Sequence, residues 1–212
     1  MKIALIGASG FIGSALREEV LSRGLTVTAL VSHPEKLTAQ AGLTAHKVDV
    51  LDTAALTDAL KGFEVVISAF SGHAQDDIHG YYLKGIRSII DATNAAGVSR
   101  LMVVGGAGSL EVAPGTLLID SPDFPGEYKA TAKGALDALA LLQQEAELDW
   151  SMLSPAAEIF PGERTNQFRL GSDQLIVDGQ GNSRISVQDY AVALINEAEH
   201  PSHSRQRFTL GY

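Results

Sequence analysis

The chain contains no cysteine, which excludes disulfides, thiolate metal centres and thiol nucleophiles together. It also lacks any apolar run approaching the roughly 18 residues of a membrane span, so no membrane partner is expected. Basic residues are few: 16 Lys and Arg stand against 25 Asp and Glu, a formal net charge of -9. A nucleic-acid groove would need clustered cations, and none is expected. No basic region, apolar signal core or small-residue cleavage site precedes the first strand, and the expected compartment is the cytoplasm. A nucleophile elbow of the G-x-S-x-G type is missing, and Gly108-Ser109-Leu110 does not replace one. Asp76-Asp77 with His79 is the nearest approach to a metal cluster. Hard metals want more convergent oxygens and zinc wants further imidazoles, so these residues read as a solvated helix start and no metal site is expected. His200 and His203 read as surface residues.

What is present is an ordinary globular composition, with 45% hydrophobic and 19% charged residues in a chain of 212. That length suits one substantial core, so residues 1–212 are expected to form a single domain. Its leading feature is Gly7-Ala8-Ser9-Gly10-Phe11-Ile12-Gly13. Before it, Lys2 to Ile6 is an apolar run of strand length, as expected of a strand buried on both faces of a parallel sheet. After it, Ile12, Ala15, Leu16, Glu19 and Val20 recur at helical spacing. A glycine turn between strand and helix can serve packing alone. It also lets a diphosphate approach free amides carrying the positive end of the helix dipole.

Further apolar strands alternate with helices: Leu25–Val31, Leu43–Val50, Glu64–Phe70, Leu101–Val104 and Asp149–Leu153, with helices at Ala54–Leu60, Gly80–Ala96 and Lys129–Ala146 between them. Such alternation predicts an α/β fold, a Rossmann-type doubly wound parallel sheet. Gly97 is placed to stop the Gly80–Ala96 helix, and Gly85 inside it implies a close approach. From Glu111 to Tyr128 the pattern lapses, and three of the seven prolines fall there. That segment follows a central strand and is the expected lid or substrate loop, with Gly108, Gly115 and Gly126 as hinges. Beyond Pro155, short apolar pieces at Phe168–Leu170, Leu175–Val177 and Arg184-Ile185 predict a small C-terminal lobe from about 156–186 and 205–212. Val187–Glu199 follows as a last helix and Arg207–Leu210 as an edge strand.

In a dinucleotide fold the end of the second strand meets the adenosine ribose, about 20 residues beyond the glycines. No acidic residue stands directly there. Ser32, His33 and, a turn later, Lys36 are donors or cations, which tilts the site modestly toward NADP over NAD. The same Ser32-His33-Pro34 can also cap a short helix from Pro34 to Ala41, and the two roles are compatible.

Together, Gly7 to Gly13, Val31 to Lys36, Val104 to Leu110, Leu148 to Pro155 and Arg184 to Tyr190 resemble the atypical short-chain dehydrogenase/reductases. The resemblance is to the small NAD(P)H-binding proteins related to NADH-flavin reductases, biliverdin reductase B and NmrA-like proteins. It implies that Gly7, Ala8, Ser9, Gly10, Phe11 and Ile12 line the diphosphate, Ser32 and His33 the adenosine ribose, and Asp49 and Val50 the adenine. Ala69, Phe70 and Ser71 would lie near the nicotinamide ribose, while Gly106 and Pro155 would border the ring. Two departures stand out: Ser32 replaces a frequent Arg, and the usual tyrosine four residues before a lysine is absent, since Tyr128 is followed at that spacing by Ala132.

Reducing a ketone moves a proton on oxygen as well as a hydride, and a positioned acid or base contributes about 10² to 10⁴ to that step. Hydride transfer to a conjugated ring needs chiefly stacking of donor and acceptor. The expected activity is therefore an NAD(P)H-dependent reductase passing hydride to a small-molecule acceptor, a flavin or quinone-like ring, with flavin as acceptor rather than prosthetic group. Ser109, Tyr128, Lys133 and His73 are the candidates for donating to that acceptor. The alternative is a non-catalytic NmrA-like dinucleotide sensor.

Overall fold

The computed structural model describes residues 1–73 and 75–212. In chain order the first half comprises β1 (Lys2–Ile6), α1 (Phe11–Ser22), β2 (Thr26–Val31), β3 (Leu43–Lys47), α2 (Thr53–Leu60), β4 (Val65–Ser68), α3 (Ile78–Ala95) and β5 (Arg100–Val104). The second comprises β6 (Glu111–Ala113), β7 (Thr116–Leu117), α4 (Lys129–Gln144), β8 (Asp149–Ser154), β9 (Glu158–Phe160), β10 (Arg169–Gly171), β11 (Arg184–Ser186), α5 (Val187–Glu199) and β12 (Gln206–Gly211).

Eight strands form one sheet in the order β10-β12-β8-β5-β4-β1-β2-β3. All its neighbours pair in parallel except β10, which runs antiparallel to β12. This is the expected doubly wound α/β architecture. The chain winds outward from β1 through β2 to β3, then crosses back to β4 on the other side of β1. The carboxyl ends of β1 and β4 therefore form the switch point, where ligands of such sheets bind.

Alternation along the strands explains the unbroken apolar runs. Ile3 and Leu5 face a core with Leu16 and Val20 of α1 and Leu194 and Ile195 of α5. Ala4 and Ile6 face the opposite core, with Leu56 and Leu60 of α2, Ile86 and Ile89 of α3 and Leu139 and Leu142 of α4. Each such buried aliphatic side chain contributes about 1.5–3 kcal/mol. The helix ends follow local chemistry: Asp52 accepts from Ala55 N at 3.0 Å and Asp77 from Gly80 N at 2.9 Å, while Gly97, at φ +72°, turns the chain after α3.

Several pieces are placed differently from their sequence reading. β12 is interior, between β8 and β10, because the Phe168–Leu170 piece extends the main sheet beyond it as β10. The Arg184-Ile185 piece forms β11, which pairs in parallel with β9 in a separate small sheet, and Leu175–Val177 forms no strand. The helix expected from Pro34 is a single 3-10 turn, Pro34–Lys36. His203 is not a plain surface residue: its Nδ1 lies 2.7 Å from Glu197, and its ring stacks on Phe208 at 4.2 Å.

The 163–167 stretch is strapped down by two carboxylates. Fully buried Asp189 accepts from Thr165 N at 2.8 Å, Thr165 Oγ1 at 2.5 Å, Asn166 N at 2.8 Å and Tyr212 OH at 2.7 Å. Glu19 of α1 accepts two bonds from Arg164, both at 2.8 Å. Among the described residues, no helix is long and apolar enough to cross a membrane.

Candidate functional site

The glycine turn is built by three residues with three different duties. Gly7 sits at φ +78°, and a Cβ on it would lie 2.5 Å from Ala69 O, so β1 and β4 can part at the switch point only around a glycine. A Cβ on Gly13 would stand 2.0 Å from Gly7 O, so Gly13 lets α1 start tight against the turn. Gly10 differs: it is exposed, with φ -76°, and its Cβ would meet only Gly7 O at 3.5 Å. Packing gives no reason for a glycine there, whereas a ligand backing onto the turn does.

The turn closes through Gly10 N to Gly7 O at 3.1 Å and Ser14 N to Gly10 O at 2.8 Å, and Arg17 Nη1 donates to Ala8 O at 3.1 Å. Its amides lie at the start of a 12-residue helix with no side-chain cap and no acidic residue in its first turn. An anion fits that cradle. Ala8 is buried, Ser9 and Phe11 are exposed and Ile12 is half-buried.

Ser32 and His33 are exposed where β2 ends, with Lys36 exposed in the following 3-10 turn. The structure adds a residue that the sequence reading missed. Glu35 Oε1 lies 3.0 Å from His33 Nδ1. Its carboxyl is held below the usual carboxylate value by its own backbone amide and by the His33 ring. The H-P-E sequence carries a usable signal, since a proline turn folds positions i and i+2 toward each other. Asp49 accepts from Leu51 N at 2.9 Å, and Val50 O accepts from Ser88 Oγ at 2.6 Å, so these two residues form a fixed turn into α2.

On the other side of the switch point, Ala69 N donates to Ile6 O at 2.9 Å, which seats the residue after β4 beside the glycine turn. The Phe70 ring turns under α3, stacked on Tyr82 at 6.1 Å and tilted on Tyr81 at 5.4 Å. Burial pushes the Tyr82 phenol well above its ordinary range, so Tyr82 is a neutral packing residue. Ser71 is exposed, Gly106 is half-buried against Ala135, and Pro155 is buried.

The four candidate donors are held in different ways. Ser109 is buried at 3% exposure, donates to Gly106 O at 3.2 Å and lies 3.1 Å from Arg207 Nη1. It therefore braces the start of the 111–128 loop and is corrected to a structural residue. Tyr128 is 57% exposed at the cap of α4. Lys133 Nζ is 3.3 Å from Asp137, whose carboxyl is lowered first by a 2.8 Å bond to His79 Nε2. His73 Nε2 is 3.1 Å from Thr131 Oγ1. Ala132, at the position of the missing lysine, is buried, and a Cβ on Gly108 would lie 2.7 Å from its methyl. Gly108 is consequently a close-packing glycine and no hinge. The His79–Asp137 pair was not singled out as chemistry, because its members are 58 residues apart. Among the described residues no group of acids and histidines gathers as a metal site.

Known proteins are similar to this chain over nearly its whole length. The uncharacterized protein YwnB of Bacillus subtilis is 41% identical over 214 residues, covering 99% of this chain and 98% of its own. A solved structure from Bacteroides thetaiotaomicron, described as a candidate epimerase, is 48% identical at a TM-score of 0.93, with 100% of this chain and 96% of that one covered. Another from Streptococcus pneumoniae, described as a candidate NADH-flavin reductase, is 36% identical at a TM-score of 0.88, with 100% and 99% covered. The family model described as NAD(P)H-binding matches residues 7–198, and the chain belongs to that family.

Proposed function

We propose that this protein is an NAD(P)H-dependent reductase of the NADH-flavin reductase type, working in the cytoplasm on a flavin or quinone-like conjugated acceptor. The dinucleotide, when bound, supplies the hydride. The chain's own part is to hold and orient. Amides of the Gly7–Gly13 turn take the diphosphate, Ser32 and His33 the adenosine ribose, and the Asp49-Val50 turn the adenine. The residues after β4, with Gly106 and Pro155, form the wall for the nicotinamide end.

One observation carries the choice of acceptor. At the start of α4, Ala132 is buried where a dyad lysine would stand, Lys133 is engaged by Asp137, and Ser109 is buried behind the loop. A ketone or sugar substrate would need an acid or base at its oxygen. A conjugated ring spreads the incoming charge and takes its proton from water, so stacking suffices. The Streptococcus pneumoniae relative's description supports this reading. The Bacteroides thetaiotaomicron relative's description suggests epimerisation, a reaction that again calls for acid and base groups on the substrate.

The test is turnover of NADH and NADPH, followed at the nicotinamide absorbance band, with free flavins and a simple quinone as acceptors. Acceptor-dependent oxidation above the uncatalysed rate supports the proposal. Dinucleotide binding without turnover on any acceptor replaces it with the NmrA-like sensor reading.

A further inference from the structure

Arg17, in the second turn of α1, is a cation that neither the fold nor the site described above accounts for. Its Nη1 reaches back to donate to Ala8 O at 3.1 Å. The side chain is only 17% exposed, and its Nε is enclosed with no partner among the described residues. Arg23, Arg100 and Arg207 are enclosed to a similar degree, and each lies within 3.1 Å of a carboxylate. Arg17 has no such partner: Glu18 is 3.9 Å away and 69% exposed, so the charge is only weakly offset. A cation so enclosed and so poorly paired costs stability rather than supplying it. Its duty therefore lies in what it touches.

What it touches is the carbonyl of the Ala8–Ser9 peptide. That peptide is trans and planar, so its C=O and its N–H point in opposite directions. Ala8 is fully buried and its oxygen is turned in toward Arg17, whereas Ser9 and Gly10 are exposed. The Ser9 N–H is thereby aimed at the open side of the turn, where it finds no acceptor among the described residues. Gly7 and Gly10 flank the pair, and glycines let such a unit reorient at little steric cost. The bond from Arg17 opposes that reorientation. We propose that Arg17 is a positioning residue for the cofactor: by holding Ala8 O it fixes the Ser9 amide as a donor to the diphosphate, and its weakly offset charge adds to the pull of the helix start on that anion. The proposal rests on the dinucleotide reading above and assigns to it a residue that lies outside the glycine turn.

The experiment is equilibrium titration of NADH and NADPH, with ADP and adenosine as competitors, into the unaltered protein, Arg17→Met and Arg17→Lys, each held well below its own melting temperature. Arg17→Met keeps the apolar stem and removes donor and charge. It is expected to weaken both dinucleotides and ADP about tenfold while changing adenosine, which has no diphosphate, by less than about twofold. Arg17→Lys keeps the charge and a single donor for Ala8 O, and should recover affinity to within about threefold of the unaltered protein. If Arg17→Met gives no folded protein, Arg17→Gln, with a neutral donor and no charge, takes its place with the same reading of ADP against adenosine. Dinucleotide and ADP affinities unchanged by the loss of the guanidinium, or an equal loss of adenosine, overturn the proposal while leaving the dinucleotide reading standing. Failure of the unaltered protein to bind either dinucleotide overturns both.

Discussion

Gly85 of α3 and Phe70 occupy one space: a Cβ placed on Gly85 would lie 2.2 Å from Phe70 Cε1. The glycine inside the helix is thus the seat of the aromatic ring that follows β4, two residues from Ser68 at the carboxyl edge. A similar seat lies across the ring stack, where a Cβ on Gly134 would stand 3.0 Å from Tyr82 Cδ1. Gly85→Ala should overpack this stack at a cost of about 1–3 kcal/mol. In a chain of this size that is a fall in melting temperature of about 2–4 °C per kcal/mol. Displacement of Phe70 should also weaken dinucleotide binding, and a variant that melts earlier with unchanged affinity would show that Phe70 has no part in the site.

Two neighbouring glycines should separate folding from binding. Gly13→Ala drives a methyl to 2.0 Å from Gly7 O, backbone that cannot move without opening β1 from α1. Its expected result is a melting temperature lower by several degrees or loss of soluble protein. Gly10→Ala meets nothing closer than 3.5 Å, so it should cost under about 1 kcal/mol of stability, as a cap change does. Yet it should weaken both dinucleotides at least about tenfold, because the methyl stands where a diphosphate approaches. Calorimetry and a thermal melt on the two variants check both halves.

How much of this could be read in advance varies with what each residue's role depends on. The β1, β2, β4, β5 and β8 runs were legible because burial on both faces leaves a local apolar signature. β12 was misplaced because its polar start, Gln206-Arg207, resembles an edge in sequence. Its interior position depends on β10 covering it from a distant part of the chain. The glycine turn was legible as a cradle, but the separate duties of Gly7, Gly10 and Gly13 depend on which backbone lies behind each one. Gly108 read as a hinge for the same reason: only the packed α4 reveals Ala132 behind it. Glu35 was passed over because spacing from the glycines points to the strand end itself, while the side chain returns to that end through the Pro34 turn.

The C-terminal strap hangs on Asp189. Its carboxylate is fully buried and receives four donors, from Thr165, Asn166 and Tyr212, with no cation among them. Asp189→Asn turns an amide hydrogen toward one of those donors and strands it. The expected loss is about 1–3 kcal/mol. Because the donors belong to the 165–166 stretch and the terminal Tyr212, amide hydrogen exchange should quicken there first. Uniform quickening over the whole sheet would instead mean that Asp189 supports the global core.

Acid should act through Glu19. Burial alone would raise its carboxyl, but the hydrogen bonds from Arg164 and Arg23 prevail and hold it below its ordinary value of 4.5. A group depressed in the folded state contributes stability that is complete above the unfolded value and is lost as pH falls through the folded one. Urea midpoints should therefore be level from neutrality to about pH 5, then fall below about pH 4.5 as the unfolded chain takes up the proton first. Glu19→Gln should lower the midpoint at neutral pH and flatten that acid limb. An acid limb of unchanged slope in Glu19→Gln would assign it to other carboxylates, Glu197 foremost.

The 111–128 loop divides into a pinned part and a part that leads back to the start of α4. Glu111 N donates to Asp173 O at 2.8 Å, Leu175 N donates to Glu111 O at 2.9 Å, and Leu118 N donates to Leu110 O at 2.8 Å. These bonds fix β6 and β7 against the segment after β10, and Gly115, at φ +74°, only turns their hairpin. From Ser121 to Tyr128 the chain returns to the start of α4 through Pro122 and Pro125, with Gly126 in open space. Since α4 starts at the carboxyl edge of the sheet, this second part is the one placed to cover an acceptor. Shortening the hairpin tip at 113–116 should therefore change neither KM nor dinucleotide affinity by more than about twofold. Replacing 121–127 with a short glycine turn should raise KM for flavin or quinone about tenfold while leaving dinucleotide affinity nearly unchanged, because the diphosphate cradle lies at the other end of the cofactor. Steady-state kinetics with the titrations above read both, and equal loss of acceptor and dinucleotide binding in the second variant would make the segment a support for α4 rather than a cover for the acceptor.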